Sequence, residues 1–345
     1  MPGEVGFKIA AYAKTDLGRV RPGNEDNFLV VNLSTADTWT PDIVYGEPEA
    51  NLTTFTQSHY GHLLAVSDGM GGALAGEVAS RLAVECVRDR MLELQASPTY
   101  SRFPFSERLR LSIELANLYI YQMSIKRPEC AGMGATFTAL GLSGSKAYFA
   151  QIGDSRAYVI RTGQVQQLTR DQSLVGQLVQ AGHITEEEAE RHTYKNVILQ
   201  ALGASPTINV EVDVLALRDM DIVLLCSDGL SNKLRADEMK QLVDDSPSLK
   251  EACESLVALA NERGGEDNIT VMIAQFAGGG LPGPERRSVS FTAGLIADSS
   301  MLDRWGAESI PRDPELPYEI EPRLVDDVDD EEDTIVPTDK LKLPE

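Results

Sequence analysis

Twice in this chain an apolar run stops abruptly at an acid set between small residues. Residues 63–72 read Leu-Leu-Ala-Val-Ser-Asp-Gly-Met-Gly-Gly, and residues 223–229 read Val-Leu-Leu-Cys-Ser-Asp-Gly. A short buried strand of this kind delivers its terminal carboxylate to a sheet edge. Asp68 and Asp228 are thereby marked as acids that distant parts of the chain could bring together. Asp26, Asp154 and Asp267 also stand among glycines or turn formers. Crowded carboxylates raise one another's pKa values and cost stability unless cations neutralise them. Oxygen-only donors suit hard cations, Mg2+ or Mn2+, which keep several waters and leave room for a substrate phosphate. A lone Asp-Gly is ordinarily a turn; five acids at similar positions call for more than that. Gly69 and Gly229 have no Cβ, so backbone carbonyls there can approach an ion closely.

The elements that would position these acids alternate in character along the chain. Residues 8–13 and 27–32 read as strands, joined hairpin-fashion by a turn-rich segment that holds Arg21, Glu25 and Asp26. Those three charges admit two readings, a solvated loop or part of a site. Residues 34–60 are polar, contain two prolines and read as a surface insertion. Residues 73–95 and 106–125 carry apolar side chains at helical spacing and should cover one sheet face. Residues 136–140, 147–152 and 157–161 read as an antiparallel meander, with Gly153-Asp154-Ser155-Arg156 at one junction and a turn at Thr162-Gly163. Residues 171–192 are polar and partly helical, either a flap beside a site or a solvated connection. Strands over 207–215 and 221–226, helices over 236–243 and 249–261, and a closing strand over 269–276 complete the pattern. Strands bracketing two helical pairs imply a sheet sandwich covered by helices, an α+β layered arrangement. No βαβ alternation with a GxGxxG loop occurs, which excludes a dinucleotide-binding fold.

The chain has 345 residues and a formal net charge of -22. That balance opposes electrostatic binding of nucleic acid. No secretory signal is evident, and no apolar run reaches the roughly 18–20 residues that span a bilayer, so a soluble cytoplasmic protein without membrane insertion is expected. Four widely spaced cysteines with no CxxC pair read as free thiols rather than a disulfide or zinc framework. Residues 1–277 are read as one large domain. Residues 278–345 open on a Gly/Pro linker that reads as flexible, include an acidic block at 326–333, and are expected to be disordered. Such a tail is equally a regulatory element or an inert extension.

Six segments in order, Arg21-Pro-Gly-Asn-Glu25-Asp26-Asn27, Val66-Ser-Asp68-Gly69-Met-Gly-Gly72, Gly134-Ala-Thr136-Phe-Thr, Gly153-Asp154-Ser-Arg156, Cys226-Ser-Asp228-Gly229-Leu and Gly265-Glu-Asp267-Asn268-Ile-Thr-Val, carry a resemblance. Over about residues 10–276 the chain resembles the metal-dependent Ser/Thr protein phosphatases of the PPM, or type 2C, family, especially its compact bacterial members. The resemblance implies an α+β fold in four layers, αββα, a central antiparallel β-sandwich flanked by helices; it also implies that Asp68 bridges two Mn2+ or Mg2+ ions and that the Gly69 carbonyl joins one of them. Asp228 and Asp267 would bind the other, Glu25 and Asp26 would act through metal-bound water, and Asp154 would hold a third, weaker ion near the flap. Arg21 would clamp the substrate phosphate. A hydroxide bridging the two ions would attack phosphorus in line, with no phosphoenzyme.

Many eukaryotic members place a histidine directly after the first Asp-Gly, where this chain has Met70. A metal-bound water, or else His183 in the flap, would then protonate the leaving oxygen; His59, His62 and His192 are read as structural or surface residues. The implied partners are phosphorylated protein substrates and a cognate bacterial Ser/Thr kinase. Two other functions stand beside this one: a phosphoprotein-binding pseudophosphatase, opposed by the full set of aspartates, and a partner-switching phosphatase of a sigma-factor circuit, which would ordinarily carry a sensory domain.

Overall fold

The computed structural model describes residues 6–41, 44–45, 54–71 and 75–284. In chain order they form β1 (Lys8–Asp16), β2 (Asn27–Asn32), β3 (Thr38–Trp39), β4 (Val44–Tyr45), β5 (Thr54–Thr56), β6 (His62–Ser67), β7 (Gly69–Met70), α1 (Ala75–Ala96) and α2 (Phe105–Lys126). Then follow β8 (Gly134–Ala135), β9 (Phe137–Ser143), β10 (Lys146–Ile152), β11 (Arg156–Arg161), β12 (Gln164–Gln167), α3 (Leu174–Gln180), α4 (Glu186–Glu190), β13 (Glu211–Ala216), β14 (Ile222–Cys226), α5 (Asp228–Ser231), α6 (Ala236–Asp245), α7 (Leu249–Glu262) and β15 (Ile269–Ala277).

Two antiparallel sheets face each other, in the orders β12-β11-β14-β15-β1-β5 and β13-β10-β9-β6-β2-β3-β4, with β7 and β8 as a small separate pair. The strands that looked uniformly apolar feed two cores at once, because successive side chains point to opposite faces. In β6, Leu64 and Val66 enter the core between the sheets while Leu63 and Ala65 enter the core under α1 and α2. In β14, Val223 and Leu225 face the inter-sheet core, and Leu224 and Cys226 pack with Leu256 of α7 and Val243 of α6. These three apolar interfaces hold four layers together, as the sequence implied. Truncating a fully buried leucine such as Leu64 to alanine would cost about 2–5 kcal/mol.

Several local expectations are corrected. β1 and β2 are not a hairpin: β1 pairs with β15 and β5, while β2 pairs with β6 and β3 in the other sheet. The expected meander breaks likewise, since β9 and β10 pair with each other but β11 pairs with β14 and β12. Turn chemistry signals that the chain reverses, not which sheet it enters next. Both turn-rich connections are therefore crossings between sheets, and both carry candidate acids. The turn after β11 is as expected, with Thr162 and Gly163 at φ 49° and 77° in the left-handed region favoured by tight hairpins.

Residues 34–60 are not wholly a surface insertion. They add β3 and β4 to the rim of one sheet and β5 to the rim of the other, and Phe55 is buried. Such two- and three-residue edge strands are too short to show a period. The opening of the linker is fixed rather than flexible: Gly278 N donates to Asp219 Oδ1 at 2.9 Å, Arg218 Nη1 donates to the Gly283 carbonyl at 3.1 Å, and Leu281 is buried in the inter-sheet core. The acidic block and the disorder expected of the tail fall outside the described residues.

Candidate active site

The tips of β6 and β14 are built alike. Ser67 and Ser227 are fully buried, and each hydroxyl ties its tip to a neighbouring segment. Ser67 Oγ donates to the Thr136 carbonyl at 2.6 Å, and Asp68 N donates to Thr136 Oγ1 at 2.9 Å. Ser227 Oγ donates to Asp26 Oδ2 at 2.7 Å and accepts from Thr270 N at 2.9 Å. Asp228 then opens α5, where Asn232 Nδ2 donates to its Oδ2 at 2.9 Å. Two buried serines thus anchor the acids that follow them, a task nothing in the local sequence announces.

The crossing between β1 and β2 brings Arg21, Glu25 and Asp26 to the same end of the sandwich. Arg21 Nε lies 3.0 Å from Asp267 Oδ1, and its Nη2 donates to Asp267 Oδ2 at 3.2 Å. Glu25 N donates to Asn268 Oδ1 at 2.7 Å, and the Glu25 carbonyl accepts from Gly69 N at 3.2 Å. The Glu25 carboxylate lies against Gly76 in the first turn of α1, the positive end of that helix. Gly69 is pressed between segments: a Cβ there would fall 2.0 Å from the Gly76 carbonyl oxygen, so only glycine fits.

Asp26 is 4% exposed. Burial pushes its carboxyl up to about 7; the bond from Ser227 works against that shift and nearby Asp267 adds to it. Its Oδ1 is buried with no hydrogen-bond partner. A costly buried carboxylate oxygen with an open lone pair, in an all-oxygen neighbourhood, is what a hard cation or its water would satisfy. The donor set therefore fits Mn2+ or Mg2+. Among the described residues no three His, Cys, Asp or Glu side chains converge on one point, and Asp267 faces Arg21 instead.

Asp154 sits in the second crossing, between β10 and β11. Gly153 N donates to Gln172 Oε1 and Gln172 N to the Gly153 carbonyl, both at 2.9 Å, which ties this crossing to the segment leading into α3. Asp154 and Asp228 line one cavity of about 400 Å³ with Arg156, Arg170, Asp171 and Lys195. Arg156 grips Asp171 with two guanidinium nitrogens at 3.0 and 2.6 Å, fixing the cavity floor. Residues 171–192 contribute Asp171, Val175, Val179 and Glu186 to the wall of this cavity, beside Asp154 and Asp228. His183 is exposed beyond the end of α3 and does not line this cavity. Met70 is buried against Ile198 and Ala201, so an apolar contact occupies the position where a histidine stood in the comparison with eukaryotic members.

The structure thus gathers Arg21, Glu25, Asp26, Asp68, Gly69, Asp228 and Asp267 around one end of the sandwich, with Asp154 at the flap side. Sequence reasoning missed Ser227, Thr136 and Asn268 as supports and Asp171 as the partner of Arg156. Thr136 and Asn268 lay inside recognisable segments, yet their roles depend on contacts across 68 to 251 positions of chain.

The sequence profile of the family described as Protein phosphatase 2C matches residues 45–269. Serine/threonine phosphatase stp of Listeria monocytogenes is 34% identical over 262 residues, covering 76% of this chain and 94% of that protein. Protein phosphatase PhpP of Streptococcus pneumoniae is 36% identical over 211 residues, 61% of this chain and 84% of its own length. Among solved structures, the Mycobacterium tuberculosis serine/threonine phosphatase PstP/Ppp superposes with a TM-score of 0.62 at 31% identity, covering 79% of this chain and 100% of that one. The PstP catalytic domain solved with two manganese ions gives a TM-score of 0.61 at 30% identity, with the same coverage. With its sandwich, its two Ser-Asp-Gly tips and these likenesses in agreement, the chain belongs to the protein phosphatase 2C family.

Proposed function

We propose that this chain is a protein serine/threonine phosphatase that uses two divalent cations, Mn2+ or Mg2+, to hydrolyse phosphoserine and phosphothreonine in proteins. The observation that carries the reading is the meeting of Arg21 with Asp267 among the carboxylates of the sheet ends, where a phosphate receptor adjoins a cation receptor. Asp68, the Gly69 carbonyl, Asp228 and Asp267 are assigned to the two core ions. Glu25 and Asp26 are assigned to ion-bound water, and Asp154 to a third, weaker ion. When bound, the cations supply Lewis acidity toward the phosphoryl oxygens and a water of lowered pKa as nucleophile.

The chain's own residues do the rest. Arg21 offers its planar fork to two phosphoryl oxygens, orienting phosphorus and stabilising charge on the equatorial oxygens. Ser227 holds Asp26 in place through its hydroxyl. The oxygen–phosphorus bond to the seryl or threonyl side chain breaks as the water oxygen bonds to phosphorus, and a proton passes to the leaving oxygen. With Met70 buried and His183 outside the cavity, solvent in the site is assigned as that donor.

The substrates are phosphoproteins, and a cognate Ser/Thr kinase is proposed as the opposing activity. The catalytic unit is assigned to residues 1–277 and the acidic tail to 278–345, with the start of that tail anchored by Asp219 and Arg218. No described helix is long and apolar enough to cross a membrane. The test is hydrolysis of a phosphothreonine peptide with Mn2+, with EDTA, and by the Asp228→Asn variant. Mn2+-dependent turnover that is lost in the folded variant is expected; turnover that survives EDTA or the substitution would overturn the assignment.

A further inference from the structure

The loop between β1 and β2 turns two apolar side chains outward. Leu17 is 42% exposed and Val20 is 65% exposed, directly beside Arg21. Scattered surface hydrophobes are common and by themselves mean nothing. What sets these two apart is the backbone around them, which is fastened on both sides of Val20, at residues 17–19 and 23–25.

Gly18 N donates to Asp16 Oδ1 at 3.0 Å, and Arg19 N donates to the Gly265 carbonyl at 2.7 Å. Asn268, 2% exposed, donates through Nδ2 to the carbonyls of Leu17 and Gly23, each at 2.9 Å, and accepts from Glu25 N. Gly18 has φ +82°, and a Cβ on it would fall 2.2 Å from the Asp267 carbonyl oxygen, so the loop is seated hard against the Asp267 segment. With the chain pinned on both sides, Val20 has little backbone slack with which to turn inward from water. The loop presents Leu17 and Val20 as a fixed surface whose binding carries little ordering cost.

We propose that Leu17 and Val20 form an apolar ledge that selects phosphoprotein substrates with an apolar side chain one or two residues from the phosphorylated serine or threonine. The proposal rests on the reading of Arg21 as the phosphate clamp. Consecutive Cα atoms are about 3.8 Å apart, so Val20 stands within one or two residue lengths of a phosphorylated residue held at Arg21, within reach of the residues that flank it. The opposite choice, an acidic flank, is disfavoured by the carboxylates around the site and by a chain charge of -22. The substrate polypeptide is the occupant because the ledge is continuous with the site that must hold its phosphate.

The full chain with Mn2+ is assayed on two phosphothreonine peptides, one flanked by leucines and one by serines, and on p-nitrophenyl phosphate, which has no flanking residues. Wild-type kcat/KM should favour the leucine peptide by about tenfold, the scale of one apolar group reaching or missing its contact. In the Leu17→Ser, Val20→Ser double variant that preference should vanish, mainly through KM, and the ratio of leucine-peptide to p-nitrophenyl phosphate turnover should fall about tenfold. Equal wild-type rates on the two peptides, or a preference undiminished in the double variant, would overturn the ledge. Concentration-dependent dimers lost in the double variant, with no peptide preference, would also overturn it by assigning the surface to a second copy of the chain. Failure of wild type to hydrolyse any of the three substrates would instead refute the phosphatase reading beneath it.

Discussion

Replacing Asn268 with alanine tests whether the Arg21 loop is held by one carboxamide. The change removes three hydrogen bonds together, from Glu25 N and to the carbonyls of Leu17 and Gly23, at 2.7, 2.9 and 2.9 Å. At a net value of about 1 kcal/mol each, the loss is about 3 kcal/mol of unfolding free energy, reduced if the Leu17 carbonyl regains water. Activity should suffer separately. A displacement of about 1 Å in a positioning group can cost ~100-fold, so kcat/KM should drop about 10- to 100-fold, with KM rising because Arg21 no longer meets the phosphate preorganised. Asn268→Asp keeps an acceptor for Glu25 N but loses both donors and sets a second carboxylate beside Asp267, so it should not rescue. Urea unfolding measures the first quantity and steady-state hydrolysis of a phosphothreonine peptide the second. A variant that unfolds at the wild-type urea midpoint and keeps kcat/KM within twofold would refute the clasp.

Two stability predictions concern parts remote from the chemistry. Asp221 is 1% exposed and binds Arg161 through Nε at 2.7 Å and Nη2 at 2.5 Å; Asp221→Ala leaves a buried guanidinium uncompensated and should cost about 3–5 kcal/mol in urea unfolding, whereas an unchanged midpoint would show the pair to be dispensable. His62 is fully buried with neither ring nitrogen partnered, and burial lowers its pKa to about 4 from 6.5. Between those values the unfolded chain binds the extra proton, so stability falls as pH drops; at pH 5 the loss is about 2 kcal/mol. Unfolding of wild type and His62→Leu at pH 7 and pH 5 checks this, and an equal acid loss in both proteins would exclude His62 as its source.

The Ser-Asp-Gly tips were legible because an apolar strand that must feed two cores cannot accept a carboxylate except at its end. Leu63 through Val66 and Val223 through Cys226 obey that constraint residue by residue. The four long helices, α1, α2, α6 and α7, were legible because each has apolar side chains at helical spacing to bury. Sheet assignment was not. The turns after β1 and β10 look like hairpin turns, and only long-range pairing decides that the chain crosses to the facing sheet. Support of the acids was equally hidden, since Ser227 and Asn268 act on residues 201 and 243 positions away. The short rim strands within residues 34–60 escaped because two or three residues cannot display alternation.

The pairing of β1 with β15 has a consequence for synthesis and folding. Strand β1 waits for β15, so the six-stranded sheet closes only across nearly the whole length of the described chain. Contacts of such separation make folding slow and entropically late. Arg21 meets Asp267, which lies just before β15 in the chain, only as that closure is made. A chain still emerging from the ribosome can form the β6 tip with Asp68 before Arg21 has Asp267 to pair with. The Arg21–Asp267 side of the candidate site is therefore complete only once β15 has been made and paired.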